Sequence, residues 1–446
     1  MSEARAALIS HLREAHRGRA GQRGAASADV PKDAPAPAAA FDFSTLPRYQ
    51  AMTLHRAAAD MLGMTSPFFR LHDGPPEPEL AIDGAPRLNF ASYNYLGLNG
   101  HPEVVAAAAE AMRTQGISAC ASRLVGGERP GHRALEAALA AVHGAESALA
   151  FVSGHATNVT TLATLVDRED LVLMDQLSHN SIGEGAKLSG SHRLVFPHND
   201  YDWLDERLGQ VRGQHRNVLI AVEGLYSMDG DSPDLARLVE IKDRHGAWLM
   251  VDEAHGLGVL GPTGRGIAEA QGIDPRRVEI WMGTLSKTLG ACGGYIAGSQ
   301  ALIDILRFNA PGFVYSVGLA APLAAAAAKA LEIMLREPER VARLRANGQH
   351  FLAAARAAGL DTGHAQGTAV TPVILGHSMR AALASHLLHE AGISALPIIY
   401  PAVPEKLARL RFFVTSEHVP SQIDHAVATL ARLIPEVDAR LAALRG

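Results

Sequence analysis

An α/β fold built on a mainly parallel sheet is what this 446-residue chain predicts, on three observations. From about residue 91 short apolar runs alternate with helical spacing, the order that right-handed βαβ crossovers require. Several of those runs stop abruptly at polar residues, as in Trp248-Leu-Met-Val-Asp252-Glu-Ala-His255 and Trp281-Met-Gly-Thr284-Leu-Ser286-Lys287. Strands buried on both faces, with chemistry at their carboxyl ends, read this way. After about residue 320 long Ala/Leu/Arg helices dominate and strands thin out, which predicts a second, smaller α+β domain.

Taken in order, residues 1–40 open with a short helical stretch, Glu3 to Arg17. They then turn Gly, Ala and Pro rich, which predicts a flexible extension. Glu3 and Glu14 argue against a targeting peptide and leave a docking segment or plain disorder. Residues 41–90 carry helical spacing from Leu46 to Gly63 and a hairpin about Asp83-Gly84, and are expected to join the small domain. The large domain is expected over 91–318. It holds helices at His101–Gln115, Arg133–His143 and Leu235–His245, and strands at Leu149–Val152, Leu171–Asp175, Arg193–Phe196, Val218–Glu223, Trp248–Asp252 and Ile280–Gly283. The small domain, 319–446, is expected to alternate strands at Thr368–Leu375, Ala395–Ile399 and Arg409–Thr415 with helices at Ser378–Ala391 and Pro420–Leu444.

Composition excludes several classes. Hydrophobic content of 48%, 20% charged residues and a net charge of −5 offer no electrostatic case for nucleic acid or an anionic membrane. Two cysteines, Cys120 and Cys292, exclude a disulfide scaffold and a thiolate zinc site and fit a reducing, cytoplasmic setting. No metal site is expected. The longest apolar run, Val314–Ala328, is broken by Pro322 and too short to span a bilayer, so it reads as a core helix. Asp252-Glu-Ala-His255 spells a helicase motif, but the chain has no G-x-x-x-x-G-K-[ST] phosphate loop to accompany it. Gly256-Leu-Gly258-Val-Leu-Gly261 matches a dinucleotide fingerprint, yet runs into the turn-rich Pro262-Thr-Gly264-Arg-Gly266 instead of a helix.

One lysine, one aspartate and one histidine at the strand ends of one sheet are the equipment for holding pyridoxal phosphate. The amine of Lys287 forms a Schiff base with the aldehyde, and Asp252 pairs with the pyridine nitrogen so that the ring accepts electrons. At 4 Å such a pair is worth roughly 4 kcal/mol at an effective dielectric of 20, enough to keep the nitrogen protonated. Ser153-Gly154-His155-Ala156 supplies a strand-to-helix turn whose backbone N–H groups suit a phosphate.

Six motifs in order strengthen the case: Ser92-Tyr-Asn94-Tyr-Leu-Gly97, Phe151-Val-Ser-Gly154-His155, Asp175-Gln-Leu-Ser-His179, Glu223-Gly-Leu-Tyr-Ser227-Met-Asp-Gly230-Asp231, Asp252-Glu-Ala-His255 and Gly283-Thr284-Leu-Ser-Lys287. Over about residues 45–440 the chain resembles the α-oxoamine synthases, which are pyridoxal phosphate enzymes of fold type I. The family condenses an amino acid with an acyl thioester and releases carbon dioxide. The resemblance implies a large domain with a parallel sheet and a smaller α+β domain. It implies that Lys287 is the Schiff-base lysine and the acid/base at the substrate Cα, Asp252 the partner of the pyridine nitrogen, and His255 a partner of the ring hydroxyl. His179 would stack on the ring, with Ser227 near its hydroxyl. Ser153, Gly154, His155 and Thr284 would bind the phosphate. Ser316, in Tyr315-Ser316, would reach the phosphate of a neighbouring subunit, so a homodimer with shared sites is implied. Asn94, His179 and Arg411 would take the substrate carboxylate.

One departure stands out. Many family members carry Arg-Pro-Pro in the loop that clamps this carboxylate; here the stretch reads Ile398-Ile399-Tyr400-Pro401, with Ile399 in the arginine's place, so either Arg411, Asn94 and His179 manage the carboxylate or its recognition is weak or altered. The expected reaction joins serine, alanine or glycine to an acyl group carried by coenzyme A or by an acyl-carrier protein. The rivals are another fold type I enzyme, such as an aminotransferase, and a nucleotide-binding module resting on Asp252–His255 alone.

Overall fold

The structure is a computed structural model that describes residues 42–61 and 63–443; the expected extension 1–40 lies outside them. Two compact units divide the chain after Gly63. Within the first, Asp42 caps a 3₁₀ turn, Phe43–Thr45, by accepting the Ser44 N–H at 2.8 Å, and a helix Pro47–Met61 follows.

The second unit opens with β1 (His72–Asp73), β2 (Glu79–Ile82) and β3 (Ala85–Asn89). The β2–β3 turn is Asp83-Gly84, both at positive φ (52° and 76°), the geometry a two-residue hairpin needs and for which this dipeptide is suited. The βα alternation follows. Its strands are β4 (Ser147–Phe151), β5 (Leu171–Asp175), β6 (His192–Phe196), β7 (Val218–Glu223), β8 (Trp248–Asp252), β9 (Ile280–Thr284) and β10 (Gly294–Gly298), in spatial order β4-β10-β9-β8-β7-β5-β6. All pairings are parallel except those of β10, which runs antiparallel between β4 and β9.

Strand β10 was not expected from the sequence. Gly294-Tyr-Ile-Ala-Gly298 reads as a loop because two of its five residues are glycine. Its glycines are required by close approach: a Cβ on Gly294 would sit 2.7 Å from Gly154 Cα, and one on Gly298 2.6 Å from Glu279 O.

The large sheet is buried on both faces, as its continuous apolar strands require. Along β7, Leu219 and Ala221 face one core with Leu162 and Ile182 of the helices Gly154–Leu165 and Asn180–Leu188. Val218, Ile220 and Val222 face the other, with the helices Pro102–Gln115, Pro130–Val142 and Leu235–His245. The helix Ala321–Arg336, placed by sequence in the C-terminal portion, packs on this second face against Pro102–Gln115 and Pro130–Val142. Pro322 does not break a helix running from Val314; it stands in the first turn of one that starts at Ala321, where a missing N–H costs nothing.

A three-stranded antiparallel sheet, β11 (Val370–Gly376), β14 (Ala408–Phe413) and β13 (Leu396–Ile398), has β14 at its centre. The short β12 (Ile393–Ser394) pairs in parallel with β3, so the N-terminal meander is tied to C-terminal chain. Among the described residues no helix is long and apolar enough to cross a membrane.

Candidate active site

The cleft forms where the parallel strands end. Strands β7 and β8 are in register, with Glu223 opposite Asp252, so two buried carboxylates stand side by side at the edge of the core. One strand further along, β9 delivers Thr284 and, three residues on, Lys287.

Burial pulls the Lys287 amine down to about 8, against the opposing charges of Asp252 and Glu223. Burial, reinforced by Asp252, pushes the Glu223 carboxyl up to about 8. Its Oε2 accepts the Ser227 N–H at 3.2 Å, while Oε1 is buried without a partner. Asp252 accepts the Ala254 N–H on Oδ1 at 2.9 Å and the Asn158 amide on Oδ2 at 2.8 Å.

His255 is buried beside them. Its Nδ1 meets the Tyr95 hydroxyl at 2.7 Å. Desolvation, with the positive charges of Lys287 and Arg411, holds it well below the usual imidazole range, so it is neutral. His179 caps the helix Asn180–Leu188 and is held low for the same first reason, against the pull of Asp252. The His155 ring meets the His179 ring edge-on, with centroids 6.3 Å apart.

Beyond β4, Ser153 caps the helix Gly154–Leu165 through its Oγ, and the first N–H groups of that helix have no partner within it. Gly154 fits only as glycine, since a Cβ there would stand 2.9 Å from Thr284 Oγ1. That hydroxyl donates to Gly293 O at 2.9 Å, which knits the turn to the segment carrying Lys287.

Arg411 reaches the cleft from β14, donating to Ser227 O at 3.0 Å, with its guanidinium 4.6 Å from the Phe413 ring centroid. It forms no ion pair among the described residues, and its Nε is buried without a partner. Arg409, two residues back, reads in the sequence as a solvated strand-edge charge, and the structure corrects that. Because β14 is the central strand, Arg409 is buried and pairs with Asp229 at 2.8 Å.

Asn94 does not join this cluster, and Ser316, expected at the phosphate of a neighbouring subunit, also stands apart from it within the chain. Asn94 spends its amide on the backbone, accepting the Asn99 N–H at 3.0 Å and donating to Pro76 O at 3.3 Å, and lines a separate cleft with Glu77, His101 and Glu417. Its neighbour Tyr93 faces the cluster instead, its ring centroid 5.6 Å from Lys287 Nζ and its hydroxyl 3.4 Å from Arg411 Nη2. Ser316 follows the turn Pro311–Val314, its N–H directed at Phe313 O, and none of its described contacts is to the residues around Lys287.

Sequence reading also passed over Glu223, Tyr95, Asn158 and Ser181. Only Glu223 carried a signal, an acid closing an all-apolar strand beside another that closes the same way. As for metals, the described residues gather one His/Glu trio, His101, Glu103 and Glu337, but Arg336 already pairs with both glutamates. The Gly256–Gly261 stretch is a loop, with Gly258 and Gly261 at positive φ, and opens no helix.

The model for aminotransferase class I and II matches residues 85–430. An 8-amino-7-oxononanoate synthase of Anaeromyxobacter sp. strain K is 41% identical over 360 residues, 81% of this chain and 89% of that one. A serine palmitoyltransferase of Sphingomonas wittichii superposes with a TM-score of 0.84 at 29% identity, over 89% of this chain and 99% of that one. A high-resolution serine palmitoyltransferase structure with its PLP internal aldimine aligns with the same TM-score at 28% identity, over 89% and 99% of the two chains.

Proposed function

We propose a reaction on the premise that this chain belongs to the α-oxoamine synthases, pyridoxal phosphate-dependent acyltransferases of the aminotransferase class I and II family. An amino acid is condensed with an acyl thioester; carbon dioxide and a thiol leave, and an α-amino ketone remains. Two features of the cleft fit the cofactor. Asp252 is a buried carboxylate with no ion pair among the described residues, and the Gly154 turn is a cradle that a single Cβ would fill. Lys287, Asp252, His255 and His179 would hold the ring, with Ser227 beside its hydroxyl. Ser153, Gly154, His155 and Thr284 would hold the phosphate. Bound there, pyridoxal phosphate supplies an electron sink for the charge left on the substrate Cα.

The chain's residues do the rest. Lys287, with its amine pulled down to about 8, takes the proton from Cα and later returns one. Between those transfers the acyl carbon bonds to Cα as its C–S bond breaks, and the Cα–carboxyl bond breaks to release carbon dioxide. Arg411 is the carboxylate partner we assign where Ile399 replaces the family's clamp arginine. Its lack of an ion pair among the described residues is the observation that carries this reading. The amino acid we propose is glycine, alanine or serine, taken up beside Tyr93, whose ring centroid lies 5.6 Å from Lys287 Nζ. A homodimer is part of the proposal. The Gly318 N–H donates to Ala121 O at 2.9 Å, which ties the segment carrying exposed Tyr315 and Val317 to the one carrying exposed Leu124 and Val125, apolar side chains that a second copy would cover.

The test is product analysis. Protein loaded with pyridoxal phosphate is given each of glycine, alanine and serine with a series of acyl thioesters, and carbon dioxide and free thiol are measured. Equimolar release, abolished in Lys287→Ala, is expected. A keto acid with pyridoxamine phosphate and no carbon dioxide would establish an aminotransferase instead.

A further inference from the structure

Four residues from three separate segments form one hydrogen-bonded line beneath the cleft. Asn158 Nδ2 lies 2.8 Å from Asp252 Oδ2 and 2.9 Å from Ser181 Oγ; Ser181 Oγ lies 2.6 Å from His179 Nδ1. Asn158 and Ser181 are both buried, at 1% and 0% exposure, so the middle of the line is closed to bulk water, while His179 at its end is exposed. The line exists because two helices approach closely: a Cβ on Gly185 would sit 2.9 Å from Leu162 Cβ and 3.0 Å from Asn158 O.

Donor and acceptor counting gives the line a direction. A carboxylate only accepts, so the amide group facing Asp252 is the NH₂. Its second N–H points to Ser181 Oγ and fills a lone pair there. The serine's single proton is then left for His179 Nδ1, which also accepts the Ser181 backbone N–H at 3.3 Å. With Nδ1 accepting twice, the ring proton of neutral His179 resides on Nε2. Asn158 Oδ1 is buried without a partner, so the amide keeps this orientation at the cost of one unmet acceptor.

We propose that Asn158 and Ser181 are positioning residues that fix His179 with its proton on Nε2 and bind that choice to the carboxylate of Asp252. Nε2–H is then a donor directed away from the relay, available to the substrate carboxylate or to the thioester carbonyl oxygen. This use of the donor rests on the reaction proposed above; the tautomer does not.

The experiment reads the two separately. Protein labelled with [¹⁵N]histidine is examined by long-range ¹H–¹⁵N correlation, with and without pyridoxal phosphate, and the His179 signal is assigned by its loss in His179→Gln. The wild type is expected to show Nε2–H in both states. Asn158→Asp turns the donor at the centre of the line into an acceptor, so Ser181 donates to it and His179 shifts toward Nδ1–H or the cation. Ser181→Ala leaves only the longer backbone donor and yields mixed tautomers, with kcat/KM for the amino acid down about ten- to hundredfold, and Ser181→Thr restores both. His179 remaining Nε2–H in Asn158→Asp and Ser181→Ala, with turnover within about twofold, overturns the proposal. Failure of the reaction itself would show as a wild type that makes no thiol, while the tautomer would still be read on the same sample.

Discussion

Lys287 and Arg411 stand in one cleft, and the charge of Arg411 adds to burial in lowering the Lys287 amine. Lys287 holds its amine at about 8 where a solvated lysine stands near 10.5. The neutral, nucleophilic form therefore predominates above pH 8. Stopped-flow uptake of pyridoxal phosphate by the apoprotein should accelerate as pH rises and level off a little above 8; a rate still climbing through pH 10 would contradict the buried setting. Arg411 has the Phe413 ring, the Ser227 carbonyl, the Met228 sulfur and the Tyr93 hydroxyl as its neighbours but no carboxylate, and a substrate carboxylate would complete it. Losing a charge-assisted pair costs about 1.5–3 kcal/mol. Arg411→Ala should therefore raise KM for the amino acid about ten- to hundredfold and leave KM for the acyl thioester within about twofold in steady-state kinetics.

The strand ends are useful only if the loops after them are held. After β5, β6 and β7 this is done by His198, which meets Asp175 and Asp231 at 2.8 Å each, while the Asn199 N–H donates to Asp175 at 2.9 Å. Asp175 begins the loop to His179, and Asp231 ends the loop through Ser227, so one imidazole joins both sides of the cleft. Set against its own desolvation, hydrogen bonds and charge from the two carboxylates raise His198 to about 10. A raised histidine stabilises the folded state fully below its unfolded pKa near 6.5, and the contribution fades as pH climbs through about 10. Removing one partner of a buried charged set costs about 3 kcal/mol. His198→Ala should thus lose about that much in urea unfolding at pH 6, with the gap to the wild type closing steadily toward pH 10. A gap independent of pH would mean that packing, not charge, is what His198 contributes.

On the scale of the whole molecule, the apolar surface at Leu124, Val125, Tyr315 and Val317 is what a second copy would cover, with Val125 at 79% and Tyr315 at 88% exposure in the single chain. Sedimentation should report twice the 47.2 kDa chain mass. Val125→Glu combined with Tyr315→Glu should yield a monomer that binds pyridoxal phosphate about tenfold more weakly, because Ser316 is then withdrawn from the neighbouring site. A monomeric double variant with unchanged affinity would place the whole phosphate site within one chain. Much of this fold was legible locally. Strands β5, β7, β8 and β9 are unbroken apolar runs, the Asp83-Gly84 turn announces its hairpin, and Lys287, Asp252 and His255 stand where such runs stop. Period and termination are properties of neighbouring residues, so the sequence by itself determined the alternation, the strand ends and the acid, base and amine placed on them. Tertiary structure alone decided the rest. Whether Tyr93 or Asn94 meets Lys287, that Arg409 is central and buried, that a glycine-rich segment becomes β10, and that Asn158 meets Asp252 across 94 residues of chain all depend on which surfaces pack together. Those contacts are made between segments remote in sequence, and no local periodicity carries their register.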